Sequence, residues 1–328
     1  MTEKLKFAFY WGASCGGCEV TVLDINEKIL DVAALADIVL WPVAVDGKYA
    51  DVEAMPDESI DVAFVNGAVR NEDNLRMARL LRQKAKTVVA FGACAIMGGI
   101  PGLANFHDRE SIFQRVYADN AVNPEGTRPQ THTAVPEGEL ELPAFYNTVF
   151  PLADVIAVDY FVPGCPPLPA TVVAAVQAIA VGQLPPKGSM IGGGNSTVCQ
   201  TCDRRKEEKK VREFKRIAFV TPEPERCLLE QGLVCLGSVT RDGCGGLCLK
   251  ANMPCRGCFG APGGVVDQGA RFLSALSTLV DADEPREIDQ ILAGVDDPLG
   301  YAYRFSLPGS LLKRKAQRQV TIEEVGKP

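Results

Sequence analysis

Leu5-Lys6-Phe7-Ala8-Phe9-Tyr10-Trp11 is followed almost at once by Cys15-Gly16-Gly17-Cys18-Glu19. In the first stretch Leu5, Phe7, Phe9 and Trp11 alternate with Lys6, Ala8 and Tyr10, the period of a half-buried strand. Further strands are expected over residues 38–45, 62–66, 87–91 and 155–162, and helices over 20–36, 71–86 and 168–181. Within 71–86, Leu75, Ala78, Leu81 and Ala85 recur at helical spacing. Strand and helix in alternation imply an α/β fold with a flavodoxin-like parallel sheet and right-handed crossovers. Residues 118–150 interrupt the alternation with Pro, Gly and polar side chains, and read as a long surface insertion that could serve as a contact surface.

The texture changes further on. Residues 183–196 (QLPPKGSMIGGGNS) read as a linker. The chain therefore divides into a flavodoxin-like domain over 1–182 and a smaller, irregular, Cys/Gly-rich domain over 197–328. The second domain ends in helices, with one apolar stripe at Leu273, Leu276 and Leu279 and another at Ile288, Ile291 and Leu292, and a tail. The segment from Cys199 to Gly264 has too little aliphatic content to fold on core burial alone, so bound metal is expected to organise it.

Composition narrows the function. Of 328 residues 47% are hydrophobic and 23% charged, which excludes bulk disorder. A net charge of -7 argues against a nucleic-acid partner. The best apolar run, 171–181, is short and broken by Gln177, so no membrane span is expected. The start of the sequence has no leader pattern, which points to the cytoplasm. Twelve cysteines in a reducing compartment read as metal ligands, redox thiols or inert buried side chains rather than disulfides. The two histidines, His107 and His132, lie in loop-like stretches and are given no metal role.

Cys15, Cys18, Cys94 and Cys165 all follow expected strands, on the edge where open α/β sheets bind ligands. Gly16, Gly17, Gly92 and Gly164 beside them let backbone N–H groups approach sulfur, and Pro166 suits the first position of the following helix. A CxxC pair alone would equally suit thiol–disulfide exchange, Cys94 alone would suit a buried core position, and a tetrahedral zinc site remains a competitor for all four. Glu19 reads first as a carboxylate favouring its own helix start, and alternatively as a proton-handling or interface group.

The other eight cysteines are Cys199, Cys202, Cys227, Cys235, Cys244, Cys248, Cys255 and Cys258. Chain order suggests one quartet of Cys199, Cys202, Cys227 and Cys235 and another of Cys244, Cys248, Cys255 and Cys258, although zinc ribbons would have similar spacings. Eight glycines between Cys235 and Gly264 supply the tight turns that iron–sulfur sites use. Residues 203–216 carry eight basic and four acidic side chains and read as a solvated helix face, or as a patch that steers an acidic acceptor.

CGGCE at 15–19, GAC at 92–94, PGCPP at 163–167 and the order of the later cysteines resemble the small, electron-transferring subunit of nickel–iron hydrogenases. The resemblance implies a proximal [4Fe–4S] cluster on Cys15, Cys18, Cys94 and Cys165, a medial one on Cys244, Cys248, Cys255 and Cys258, and a distal one on Cys199, Cys202, Cys227 and Cys235. Many relatives have histidine where Cys199 stands and some have proline where Cys248 stands; cysteine at both implies three [4Fe–4S] clusters. With neither a twin-arginine leader nor a compact ferredoxin run, the chain is most similar to the cytoplasmic methyl-viologen-reducing, heterodisulfide-reductase-linked (F420-non-reducing) type. The complex I subunit that shares the first domain fits less well. The implied partners are a large subunit bearing the NiFe centre and an iron–sulfur or flavoprotein acceptor of heterodisulfide-reductase type. This chain contributes no identifiable catalytic acid, nucleophile or substrate pocket. The other readings are a zinc-stabilised scaffold, another iron–sulfur subunit of a hydrogenase-related complex, and a disulfide-exchange enzyme built on CGGC.

Overall fold

The computed structural model describes residues 4–208 and 210–314. The first part contains β1 (Leu5–Trp11), α1 (Gly17–Leu23), α2 (Ile29–Leu35), β2 (Ala36–Leu40), α3 (Tyr49–Ala54), β3 (Ile60–Asn66), β4 (Val69–Asn71), α4 (Glu72–Lys84), β5 (Ala85–Phe91) and α5 (Ala93–Met97). There follow α6 (Arg109–Phe113), β6 (His132–Val135), β7 (Gly138–Glu141), β8 (Phe145–Phe150), β9 (Tyr160–Val162) and α7 (Pro169–Ala180). The second part has α8 (Leu247–Lys250), α9 (Gln268–Ser277), α10 (Pro285–Leu292) and α11 (Pro298–Ala302).

The central sheet runs β2-β1-β3-β5-β9, every neighbour parallel. This is the flavodoxin-type order and confirms the α/β expectation. The alternation in β1 sorts its side chains between two cores. Ala8 and Tyr10 join Ala63, Val65, Val88 and Ala90 on the face covered by Leu75, Ala78 and Leu81 of α4. Phe7 and Phe9 join Phe64, Val89 and Phe91 on the other face, under Val22, Val32 and Val172. Asn71 caps α4 by accepting the Asn74 N–H at 2.8 Å, which fixes where β4 ends and the helix begins.

Several elements differ from their expected extent. The helix expected over 20–36 is broken, because Asn26 takes a left-handed φ of 56° between α1 and α2. The second strand stops at Leu40, where the Trp41 carbonyl accepts the N–H groups of Ala44 and Val45 and closes a turn. The strand expected over 155–162 is confined to Tyr160–Val162, since the Leu152 carbonyl draws the N–H groups of Val155 and Ile156 into a helical turn. Pro169, not Pro166, takes the first position of α7. Residues 118–150 are not all surface: β6 and β7 form an exposed hairpin, whereas β8 pairs antiparallel with β4 and buries Val149 and Phe150.

In the second part Val211, Phe214, Val234, Leu236, Phe272, Leu276, Ile291 and Tyr303 form one core, and Val198, Leu228, Leu233 and Leu249 a smaller one. Residues 203–216 are not a helix among the described residues: Arg205 bridges to Arg226, Val211 to Val280 and Lys215 to Leu233. Their side chains lack a helical face because their backbone groups are spent on separate neighbours. The tail beyond Arg314 lies outside the described residues. Among the described residues no helix is long and apolar enough to cross a membrane.

Residues 188–191 run beside β9, with Phe161 N–H donating to Ser189 at 3.1 Å and Ile191 N–H to Phe161 at 2.8 Å. The buried Asp159 anchors this edge, accepting from Arg82 at 2.6 Å and from Val88 N–H at 2.8 Å and pairing with Lys187 at 2.6 Å. Burial pushes its pKa up, but the bonds from Lys187, Val88 and Arg82 outweigh it and hold the carboxyl below its usual range. A depressed folded-state pKa stabilises fully above the unfolded value of about 3.9 and is lost as pH falls through the folded value. Asp159→Asn should therefore cost on the order of 2 kcal/mol at pH 7 in denaturant titration. The gap from the parent should begin to narrow below about pH 4, where the carboxyl of the unfolded chain takes up a proton, and close once pH has fallen below the depressed folded-state value.

Candidate metal centres

Three loops meet at the carboxyl ends of β1, β5 and β9. Gly16, with φ 79°, turns the chain into α1, which carries Cys18 and Glu19. Gly92 N–H donates to Val162 at 2.8 Å and Ala93 N–H to Gly164 at 2.7 Å, tying the Cys94 turn to the Cys165 turn. The Thr21 hydroxyl donates to the Pro167 carbonyl at 2.8 Å and ties α1 to the same place. A Cβ on Gly92 (φ 88°) would overlap Cys18 Sγ, and one on Gly99 (φ 57°) would lie 2.5 Å from Cys94 Sγ. These glycines make the space in which the sulfurs sit.

Cys15, Cys18, Cys94 and Cys165 are brought together. Burial raises the Cys18 thiol, and Cys94, Cys165 and Cys15 raise it further. Cys94 is pushed up to about 12 by burial and by Cys165 and Cys15, with partial relief from the Ile100 N–H. Cys165 is raised by burial and by Cys15. Cys18 and Cys94 are buried, whereas Cys15 and Cys165 face outward.

The remaining eight are linked through successive neighbours. Cys258 is pushed up to about 12 by burial, Cys255, Cys165 and Cys248, and eased by the Cys165 N–H. Cys255 rises to about 11 through burial, against the Gly257 N–H and the Thr240 hydroxyl, with Cys248 and Cys244 adding repulsion. Cys235 rises to about 12 through burial and Cys255, against the N–H groups of Gly237 and Cys255, with Cys227 beyond. Burial raises Cys199, Lys206 offsets it, and Cys227 and Cys202 add to it. Cys258 lies beside Cys165, and Cys255 N–H donates to Cys235 Sγ at 3.3 Å.

Among the described residues, His132, Glu139 and Glu141 on the exposed β6–β7 hairpin bring three ligating atoms within 4.8 Å of one another. Around the cysteines, the glycine-lined cradle and the N–H groups aimed at sulfur fit an anionic sulfur cluster.

Glu19 does something the sequence did not suggest. It is buried, and its carboxylate accepts from the Trp41 indole N–H and the Asn66 amide rather than from its own first turn. Burial raises its pKa against the pull of those two bonds. Trp41 and Asn66 lie far from it in sequence, and only the register of β3 beside β1 brings Asn66 there. The cations of 203–216 are largely committed. Arg204 is buried on the carbonyls of Glu223, Arg226 and Leu249, Arg205 pairs with Glu207 and Glu225, Lys210 and Arg212 with Asp281, Lys215 with Glu213, and Arg216 with Asp296.

Comparison with known proteins identifies the relatives. The family model of the NADH ubiquinone oxidoreductase 20 Kd subunit matches residues 15–179. The iron-sulfur subunit of the F420-non-reducing hydrogenase of Archaeoglobus profundus is 43% identical over 95% of this chain and 98% of its own length. The chain belongs to this family of F420-non-reducing hydrogenase subunits. The Methanothermobacter thermautotrophicus member is 35% identical over 97% of this chain and 99% of its own. A chain of a solved NAD+-reducing [NiFe]-hydrogenase is 32% identical, with a TM-score of 0.49 over 56% of this chain and 94% of that one. The chain is thus a hydrogenase component, related to the small subunits of [NiFe]-hydrogenases and suited to iron–sulfur electron transfer.

Gly92→Ala places a methyl group against Cys18 Sγ at a backbone angle that resists it. The anaerobically purified variant should carry less iron than the parent, read by iron analysis. An unchanged iron content would show that Cys18 does not depend on this cradle.

Proposed function

We propose that the chain is the electron relay of a cytoplasmic [NiFe]-hydrogenase, with Cys15, Cys18, Cys94 and Cys165 holding a proximal cluster, Cys244, Cys248, Cys255 and Cys258 a medial one, and Cys199, Cys202, Cys227 and Cys235 a distal one. When bound, three [4Fe–4S] clusters would supply one-electron transfer between H2 oxidation at the NiFe centre of a large subunit and an acceptor of heterodisulfide-reductase type. The observation that carries this reading is a pair of contacts between the assigned quartets, Cys165 beside Cys258 and Cys255 N–H on Cys235 Sγ.

The residues of the chain hold charge and exclude water. Burial of Cys18, Cys94 and Cys255 keeps solvent from the sulfurs, and the N–H groups of Ile100, Gly237, Cys255 and Gly257 favour the thiolate form. Cys15 and Cys165 are exposed, as are the apolar Trp11, Val20 and Ile100 of the segments that carry the quartet, a surface that suits the large subunit. In this reading residues 1–182 form the proximal domain, 183–196 the connection, and 197–328 the medial and distal domain. Glu19, with both oxygens occupied, holds Trp41 and Asn66 in place beneath the proximal quartet, and a role in proton handling or at the interface with the large subunit rests on the same position.

Anaerobically purified protein should be brown and carry about twelve iron and twelve acid-labile sulfide per chain. Cys15→Ser should remove about a third of that iron and weaken co-purification with a large subunit, leaving the other signals intact. Colourless protein with about three zinc per chain would select a structural scaffold instead.

A further inference from the structure

The segment 305–314 crosses from the second part of the chain back onto the first. Within it, Pro308 packs against Gly98 and Gly102. A Cβ on either Gly98 or Gly102 would overlap the Pro308 ring, so the two glycines form a slot that the ring fills. Main-chain bonds flank the ring: Gly99 N–H donates to Phe305 at 2.9 Å and Gly309 N–H to Met97 at 3.3 Å. Further along, the Asn105 amide donates to Lys313 at 2.9 Å and to Val149 at 3.0 Å, and the Arg314 guanidinium donates to the Thr148 hydroxyl at 2.7 Å.

The gripped loop is the one that shapes the surroundings of Cys94. Cys94 lies in α5, whose end is closed by Gly98 N–H on the Cys94 carbonyl at 3.0 Å. Gly99 has its missing Cβ against Cys94 Sγ, and the Ile100 N–H is directed at the same sulfur. One face of residues 98–102 therefore confines a sulfur, and the opposite face receives Pro308.

We propose that Pro308 is a positioning residue for Cys94: the 305–314 segment wedges the 98–102 loop against the Cys94 sulfur and so completes the first quartet. The inference rests on the reading of Cys94 as a cluster ligand. It makes assembly of the first quartet depend on the folding of the far end of the chain.

The experiment uses Gly102→Ala, Pro308→Ala and the double variant in the full chain, each purified anaerobically with its large subunit. Gly102 has no positive φ, so its alanine variant acts through the Pro308 ring alone; Pro308→Ala removes the ring atoms it would strike and leaves a Cβ 3.9 Å away. Amide exchange over residues 98–105, measured without reference to iron, should quicken about tenfold in Gly102→Ala and less in Pro308→Ala. EPR should show selective loss of the first-quartet signal, with the other signals retained. The double variant should behave like Pro308→Ala, not worse, because the clash has gone. Parent-like exchange and parent-like signals in Gly102→Ala would overturn the proposal, as would equal loss of all signals or additive damage in the double variant. A parent protein without iron whose exchange still responds would reject the cluster reading while leaving the wedge intact.

Discussion

Four sulfurs that must each carry negative charge repel when packed together, and burial adds to the cost of each. In the free thiol form Cys18, Cys94, Cys235, Cys255 and Cys258 are all pushed upward by burial and by one another. Nothing in the apolar core relieves this. What relieves it locally is the main chain: N–H groups from Ile100, Gly237, Cys255 and Gly257 point at sulfur, and each needs a turn tight enough to expose it. A positively charged core between the thiolates would relieve the remaining repulsion.

The parallel sheet provides the other half of the solution. Because β1, β5 and β9 run in one direction, their carboxyl ends open on one edge and their following loops meet there. Hydrogen bonds between loops, such as Ala93 N–H to Gly164 and Thr21 to Pro167, fix the turns relative to each other more firmly than any one loop could fix itself. The second part has little regular structure, but it is not loose. Val211, Phe214, Phe272 and Tyr303 make a core of their own, and the irregular cysteine segments drape over it. Met97 and Phe305 pack together where the two parts meet, with Cys258 against them.

Much of this was legible in advance where the signal is local. The alternation of β1 and the helical spacing of α4 set their own structures, since each side chain has only one of two faces to occupy. The elements misjudged were those decided by distant partners. Phe145–Phe150 reads as surface but pairs with Val69–Asn71. Residues 203–216 have a helix-like charge pattern but form single β-bridges opposite Arg226, Leu233 and Val280 instead. Glu19 has the position of a helix-favouring carboxylate, yet it serves Trp41 and Asn66.

From the residues alone came the strand-helix order, the twelve sulfurs, their glycine neighbours and their grouping by chain order, because each follows from covalent spacing and from what a side chain can chemically do. Only the folded molecule decided which N–H faces which sulfur, and that Pro308 seats between Gly98 and Gly102. Those are contacts between residues tens to hundreds of positions apart, and no local pattern records them. They arise when packing of separate cores brings their loops to one place.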